Sequence, residues 1–166
     1  DPAHPERGGY SDEFGFFSTS SGGGLLDYFM TAYCCAESRH HRSDVLANRI
    51  TLAARYLARK QHPDGTIDLL ITNFHSTPDT GFVVHNVAGA AWLAREHRLE
   101  ELFREIAPFL EKAGNALATG GVHTPNHRWV VCEALAQINE LFPDSRYTKR
   151  IGAWSTNGIE SRSCVA

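Results

Sequence analysis

Apolar residues return every three or four positions along most of this chain, and that period dictates helices. Between Leu99 and Leu117 the side chains of Leu102, Phe103, Ile106, Leu110, Ala113 and Leu117 fall on one face, the spacing of an α-helix with a buried stripe. The segment from Asp44 to Lys60 repeats it with Leu46, Ile50, Ala53 and Leu57, and Ser43 or Asp44 is a natural N-cap. From Leu25 the same spacing runs through Tyr28, Phe29, Ala32 and Tyr33. A third helix is expected from about Phe82 to His97, and a fifth from Thr124 to just before Pro143. "RYTKRIGAW" predicts one more short helix. Pro108 lies inside the fourth helix, where a missing N–H and a ring clash predict a kink or a division. With mostly short connections, the pattern predicts an all-α chain of antiparallel helical hairpins.

The remaining segments carry no helical period. Residues 1–24 are rich in Gly, Ser, Pro and Phe, so "STSSGGG" reads as a loop or linker feeding a helical domain over residues 25–154. "HPDG" at His62–Gly65 is turn chemistry. In "TIDLLITNFHSTPDTG" the residues Ile67, Leu69 and Ile71 alternate weakly; a short strand is compatible, but an ordered loop is the expectation. The tail over residues 155–166 loses all pattern.

A chain of 166 residues can bury one real core. Its net charge of −3, without a basic stripe, gives no reason to expect nucleic acid. No apolar run approaches the roughly 18 residues that a membrane span needs. The start, Asp1-Pro2-Ala3 without methionine, is compatible with a processed or trimmed end, and the compartment stays open between secreted, periplasmic and cytoplasmic. Cys34, Cys35, Cys132 and Cys164 form no C-x-x-C pair, which excludes zinc-ribbon and thioredoxin readings. They are expected to be small buried hydrophobes in a reducing compartment.

An internal echo organises the helices. Thr80-Gly81 opens one that soon reaches His85-Asn86, and Thr124-Pro125 opens another that reaches Asn126-His127, 44 residues later. That is about the length of one helical hairpin with its loops. Repeated hairpins of this size build α-solenoids or closed α/α toroids.

Chemistry concentrates at the second of these starts, in "GGVHTPNHRWVVCEALAQINELFPD". Thr124 suits the N-cap and Pro125 the first helical position. Asn126 and His127 then carry backbone N–H groups at the positive end of the helix, which attracts a carboxylate or phosphate. Asn126 adds a neutral donor, and Arg128 adds charge nearby. The positive end disfavours imidazolium, and a neutral imidazole beside a bound anion is a candidate general base. By period His127 lies in line with Val131, Ala134 and Ile138, towards an interior or a groove; the plain alternative is a capping or core histidine. A second cluster, Asn73, His75, Asp79, His85 and Asn86, can bind a polar ligand or order a loop. It lacks metal-binding spacing such as H-E-x-x-H, so neither a metal nor a cofactor is expected. Trp92 and Trp129 can stack on a sugar ring, although helical tryptophans are more often core.

"NFHSTPDTGFVVHN" and the Gly120–Asp144 stretch resemble the heparinase II/III-like proteins, toroidal polysaccharide lyases related to alginate lyases. The similarity covers most of Asp1 to Trp154. In that group an Asn-His pair at the start of an inner toroid helix meets the uronate of the substrate, and Asn126-His127 matches it. The resemblance implies β-elimination of an acidic polysaccharide, with Asn126 and His127 catalytic; Asn73, His75, His85, Arg128 and Trp129 are the candidate substrate contacts. The difficult step is removal of the C5 proton beside a carboxylate, which must first be neutralised. The family also uses a tyrosine downstream of the Asn-His helix. The single tyrosine in that direction here is Tyr147, which does not match the motif. A full toroid needs about twice these helices, so the resemblance implies a partial ring, with exposed apolar surface and a tendency to self-associate. Two other classes fit the same fold. One is a glycoside hydrolase acting on unsaturated uronates, with Asp68 and Asp79 as the loop acids. The other is a non-catalytic helical-repeat module that binds carbohydrate.

Overall fold

The protein was analysed as a computed structural model, which describes residues 3–122 and 124–155. Cys164 and the tail beyond Ser155 lie outside the described residues. The chain is all-α apart from one small hairpin. The helices are α1 (Thr19–Cys34), α2 (Asp44–Lys60), α3 (Thr77–Glu96), α4 (Glu100–Thr119), α5 (Pro125–Leu141) and α6 (Ser145–Ser155). Between α2 and α3 the strands β1 (Ile67–Leu69) and β2 (Asn73–Ser76) pair antiparallel, with Ile67 opposite Ser76.

The helices form three hairpins in two layers. Helix α1 packs on α3 and α3 on α5, while α2 packs on α4 and α4 on α6. Within the first layer the helices run parallel, because contacts advance together along both partners. Gly23 meets Val83 and Gly89 meets Asp27; further on, Gly81 meets Val130, His85 meets Glu133 and Arg95 meets Glu140. The core lies between the layers, with Leu26, Met30, Ile50, Leu57, Val84, Ile106, Leu110, Leu117, Leu135 and Ile138 all buried.

Glycine sets the spacing of the first layer. A Cβ added at Gly23 would stand 3.1 Å from Val83 Cγ1, and one at Gly81 would stand 3.1 Å from Val130 Cγ1. The same close approach therefore occurs twice, once at each seam. It also corrects the echo read from sequence. Thr77-Pro78, not Thr80-Gly81, is the counterpart of Thr124-Pro125, since α3 begins at Thr77. Thr80 is fully buried inside the helix; it accepts from the Ile67 N–H at 3.0 Å and donates to the Ser76 carbonyl at 2.7 Å. In this register Arg128 of α5 occupies the place that Gly23 and Gly81 hold in α1 and α3.

Further expectations change on the same physical ground. Helix α1 starts at Thr19 rather than Leu25, because Gly22 and Gly23 are buried against Tyr56, Leu57 and Val83 and are selected for closeness. Its buried stripe is Leu26, Met30 and Cys34, and Tyr28 is 72% exposed. The segment before α1 is no free linker. Lys60 pairs with Glu6 at 2.6 Å, Arg59 donates to the Arg7 carbonyl, and Gly8 takes φ +93 where a side chain would strike the Leu52 backbone. Residues expected to form an ordered loop are the β1–β2 hairpin, held by Thr80. Helix α4 runs through Pro108 undivided, with the proline exposed. Cys34 and Cys132 are buried, but Cys35 is exposed because it follows the last residue of α1.

The two kinds of glycine predict opposite mutational signs. Gly24 sits inside α1 with nothing within 4 Å of an added Cβ, so Gly24→Ala should stabilise by about 0.5–1 kcal/mol through helix propensity. Gly81→Leu should destabilise by about 1–3 kcal/mol or more, since it wedges α3 from α5. Urea unfolding of both variants checks the contrast.

Candidate functional site

Three parallel helix starts lie side by side at one end of the first layer, and they are not equivalent. Ser18 caps α1 by accepting from the Ser21 N–H at 3.0 Å, and Ser76 caps α3 by accepting from the Asp79 N–H at 3.3 Å. Thr124 makes no such bond. Its hydroxyl donates instead to Asn126 Oδ1 at 2.6 Å, and the helix accepts only through the Thr124 carbonyl, from the His127 N–H at 3.1 Å. The expected side-chain cap is thus absent. Pro125 has no N–H and that of His127 is used on Thr124, so the Asn126 N–H keeps its donor capacity, and the Asn126 Nδ2 donors remain for a ligand.

Asn126, Arg128 and Trp129 are exposed at this mouth and His127 is half-buried. The His127 ring stands edge-on to Phe82, 6.2 Å between centroids, and its Nδ1 is buried without a hydrogen-bond partner. Arg128 is exposed because no further helix of this layer lies on that flank among the described residues. Trp129 and Trp92 are 43% and 45% exposed, so neither is the core residue that helical tryptophan usually is.

The second predicted cluster divides. Asn73 donates to Asp79 at 3.3 Å, which brings it to the start of α3. His75 turns the other way, in the left-handed region at φ 48. It stacks on His62 with centroids 3.8 Å apart, contacts Asp64 at 2.8 Å, and donates its N–H to Asp68 at 2.8 Å. Hydrogen bonds from Thr66, then the contact with His75, hold the Asp64 carboxyl far below its ordinary range. Burial pushes Asp68 up, but hydrogen bonds from the His75 N–H and His62 bring it below the usual value. Asp68 is thereby spent on the hairpin, and Asp79 lies in α3 rather than in a loop, bonded by Ser76 and Asn73. Neither suits the acid roles proposed for a hydrolase. Tyr147 is buried with its phenol against Gly114 and is excluded as the downstream tyrosine.

His85 belongs to a groove that sequence reasoning named only in part. The open face of the first layer presents Ser20 and Asp27 from α1; Phe82, His85 and Trp92 from α3; and Glu133, Gln137 and Glu140 from α5. A cavity of about 360 Å³ is lined by Ser20, Phe82, Val83, His85, Asn86, Val130 and Glu133. One turn along lies a smaller one of about 200 Å³, between Trp92, Gln137 and Glu140. Burial raises the Asp27 carboxyl pKa, and the nearby His85 opposes that shift. Asp27, Glu133 and Gln137 were legible only through period: residues 82, 85, 89 and 92, and 133, 137 and 140, each fall on one helix face. Among the described residues no group of three or more His, Cys, Asp or Glu is placed to hold a metal ion, and no helix is long and apolar enough to cross a membrane.

Comparisons with family models, with curated proteins and with solved structures give no match to this chain. The functional reading therefore stands on the site itself and on the resemblance of its motifs.

The cap difference is measurable. Ser76→Ala should destabilise by about 1 kcal/mol, whereas Thr124→Ala should change stability by less than about 0.5 kcal/mol; chemical denaturation reads both. Asp27 gives a pH signature. A raised native pKa means that ionisation opposes folding above the unfolded carboxyl pKa. Asp27→Asn should therefore stabilise the protein at neutral pH, and the gain should vanish as the pH falls below about 4. Melting curves across that range test it.

Proposed function

We propose that this chain is the helical part of a lyase that cleaves a uronate-containing polysaccharide by β-elimination, with part of an α/α toroid as its scaffold. The observation that carries the reading is the α5 mouth, uncapped where its parallel neighbours are capped, with Asn126 exposed and the His127 Nδ1 unpartnered. A uronate carboxylate seated there accepts from the backbone N–H and the Nδ2 of Asn126. Arg128 adds charge from the flank. Together they stabilise the negative charge that builds as the C5 proton leaves. His127 is then the base, with Phe82 fixing its ring. Phe82 and Trp129 supply exposed faces against which a sugar ring can stack. The exposed apolar surface also includes Leu70, Ile71 and Phe74 on the β1–β2 hairpin, which fits the proposed self-association of a partial ring.

A glycoside hydrolase remains the second reading, favoured by one observation: Asp27 and Glu133 both face His85 across the groove, and a carboxyl with a raised pKa suits an acid role. Product chemistry separates the two. Elimination yields an unsaturated uronate that absorbs in the ultraviolet, whereas hydrolysis yields reducing ends without that absorbance. Binding with neither leaves a carbohydrate-binding module.

Asn126→Ala should weaken oligouronate binding about tenfold, equivalent to about 1.4 kcal/mol, with thermal stability unchanged. His127→Ala should abolish elimination while sparing affinity. Titration calorimetry with uronate oligosaccharides and the ultraviolet assay read the two effects. Unchanged affinity and turnover in both variants would sink the assignment of this mouth.

A further inference from the structure

Elimination needs a second proton transfer that the α5 mouth does not supply, because the departing O4 must be protonated. The groove contains a second imidazole, His85, in a cavity whose wall it shares with Phe82. His85 Nδ1 contacts Glu133 Oε1 at 2.8 Å across the α3–α5 seam. Gln137, one turn further on α5, donates from Nε2 to the same carboxylate oxygen at 3.2 Å and reaches His85 Nδ1 at 3.3 Å. The Glu133 carboxylate thus accepts from Nδ1–H, and Gln137 holds that carboxylate in place, which fixes the imidazole plane and leaves Nε2 for a ligand. Asp27 approaches His85 from α1. It fits over α3 because Gly89 has no Cβ; one there would lie 3.1 Å from Asp27 Oδ1. The ring accordingly sits between carboxylates of both flanking helices, which balance the charge of its protonated form.

Stability does not account for this arrangement. The side chains of His85 and Glu133 are 59% and 52% exposed, and an ion pair in that setting contributes about 0–1 kcal/mol. The cavity beside them, about 360 Å³, falls within the roughly 300–1,000 Å³ of ligand pockets. Its wall includes Phe82, the ring that also meets His127.

We propose that His85, positioned by Glu133, is the general acid that protonates the leaving O4. The proposal rests on the lyase reading above. His127 takes the C5 proton, and the C5–H electron pair becomes the C4=C5 double bond. The C4–O4 bond breaks, and O4 takes the proton from His85 Nε2. Solvent afterwards removes the proton from His127 and returns one to His85. Glu133 is a positioning residue: it holds the ring without touching the sugar.

The test compares two substrates that differ in their need for an acid: a polyuronate, and a uronate with nitrophenolate as the group leaving C4. His85→Ala should lose at least about 100-fold in kcat on the polyuronate, with KM within about threefold. On the nitrophenyl substrate, whose leaving group departs without a proton, it should lose less than about threefold. Glu133→Gln should follow the same pattern at about tenfold, and added imidazole should restore His85→Ala on the polyuronate. His127→Ala should fail on both substrates. Equal losses of His85→Ala on both, or a loss confined to KM, would overturn the acid role and leave the lyase reading standing. A wild-type protein that eliminates neither substrate refutes the lyase reading, and the acid role falls with it. Unchanged melting of each variant secures the comparison; the His85 and Glu133 side chains are exposed.

Discussion

The close approach of Gly23 to Val83 and of Gly81 to Val130 governs the rest of the molecule. Two seams at which an added Cβ would stand the same 3.1 Å from a facing valine fix α1, α3 and α5 as a parallel layer with their starts abreast. Everything proposed for function uses a consequence of that spacing. His85 reaches Glu133 because α3 and α5 are close, and Asp27 reaches over Gly89 because α1 and α3 are. The three starts lie together because the seams hold the helices in one register. With a larger residue in either glycine position the seam would widen, and the side chains that now meet across it would part. The outer helices α2, α4 and α6 complete the core behind this layer and leave its front face open.

The sequence disclosed this fold unevenly, for a physical reason. Helices α2 and α4 each have one apolar face and one solvated face, so their period is clear and their bounds were close to those found. Helix α3 is flanked in its layer by α1 and α5, and α1 packs on both α3 and α2. Their contact residues are glycine, alanine and small hydroxyl groups, chosen for closeness rather than hydrophobicity. A glycine run such as Gly22-Gly23-Gly24 then reads as a loop, although two of the three are buried in a helix. Thr80 misled for a related reason. Its hydroxyl faces the β1–β2 hairpin from inside α3, and nothing local distinguishes that use from capping. The hairpin itself is too short for a period-2 signal, and it depends on Thr80 and on the left-handed turn of His75.

The candidate site shows the same division. Asn126, His127, Arg128 and Trp129 were visible because they are consecutive and out of character for a helix start. Their distinction from the neighbouring starts was not visible, since Thr124 has the composition of a cap and uses its hydroxyl on Asn126 instead. Asp27 and Glu133 could not be found by proximity in the chain, because they meet His85 from two other helices. The pairing of Asn73 and His75 on one short strand pointed to a common role, yet the backbone turn at His75 sends their side chains to different partners.

Charge is segregated along the open face, and for the proposed uronate ligand that segregation would set an orientation. At the mouth stand the positive end of α5, the Asn126 backbone N–H and side-chain amide, and Arg128, all favourable to an anion. Further along stand Asp27, Glu133 and Glu140, two of them exposed, which repel one. A ring carrying a single carboxylate is drawn to the mouth with that group leading, since the reverse pose places it against Glu133 at the low end of the gradient. In the proposed lyase reading the reacting carbon would then lie near His127, with the rest of the sugar over Phe82 towards His85. Phe82, which meets His127 and lines the cavity with His85, carries no charge of its own and offers an apolar face of sugar a surface to rest on. Attraction at one end, repulsion at the other and a neutral floor between them are sufficient to select one orientation without a large binding energy, as a site that stabilises a transition state more than its substrate requires.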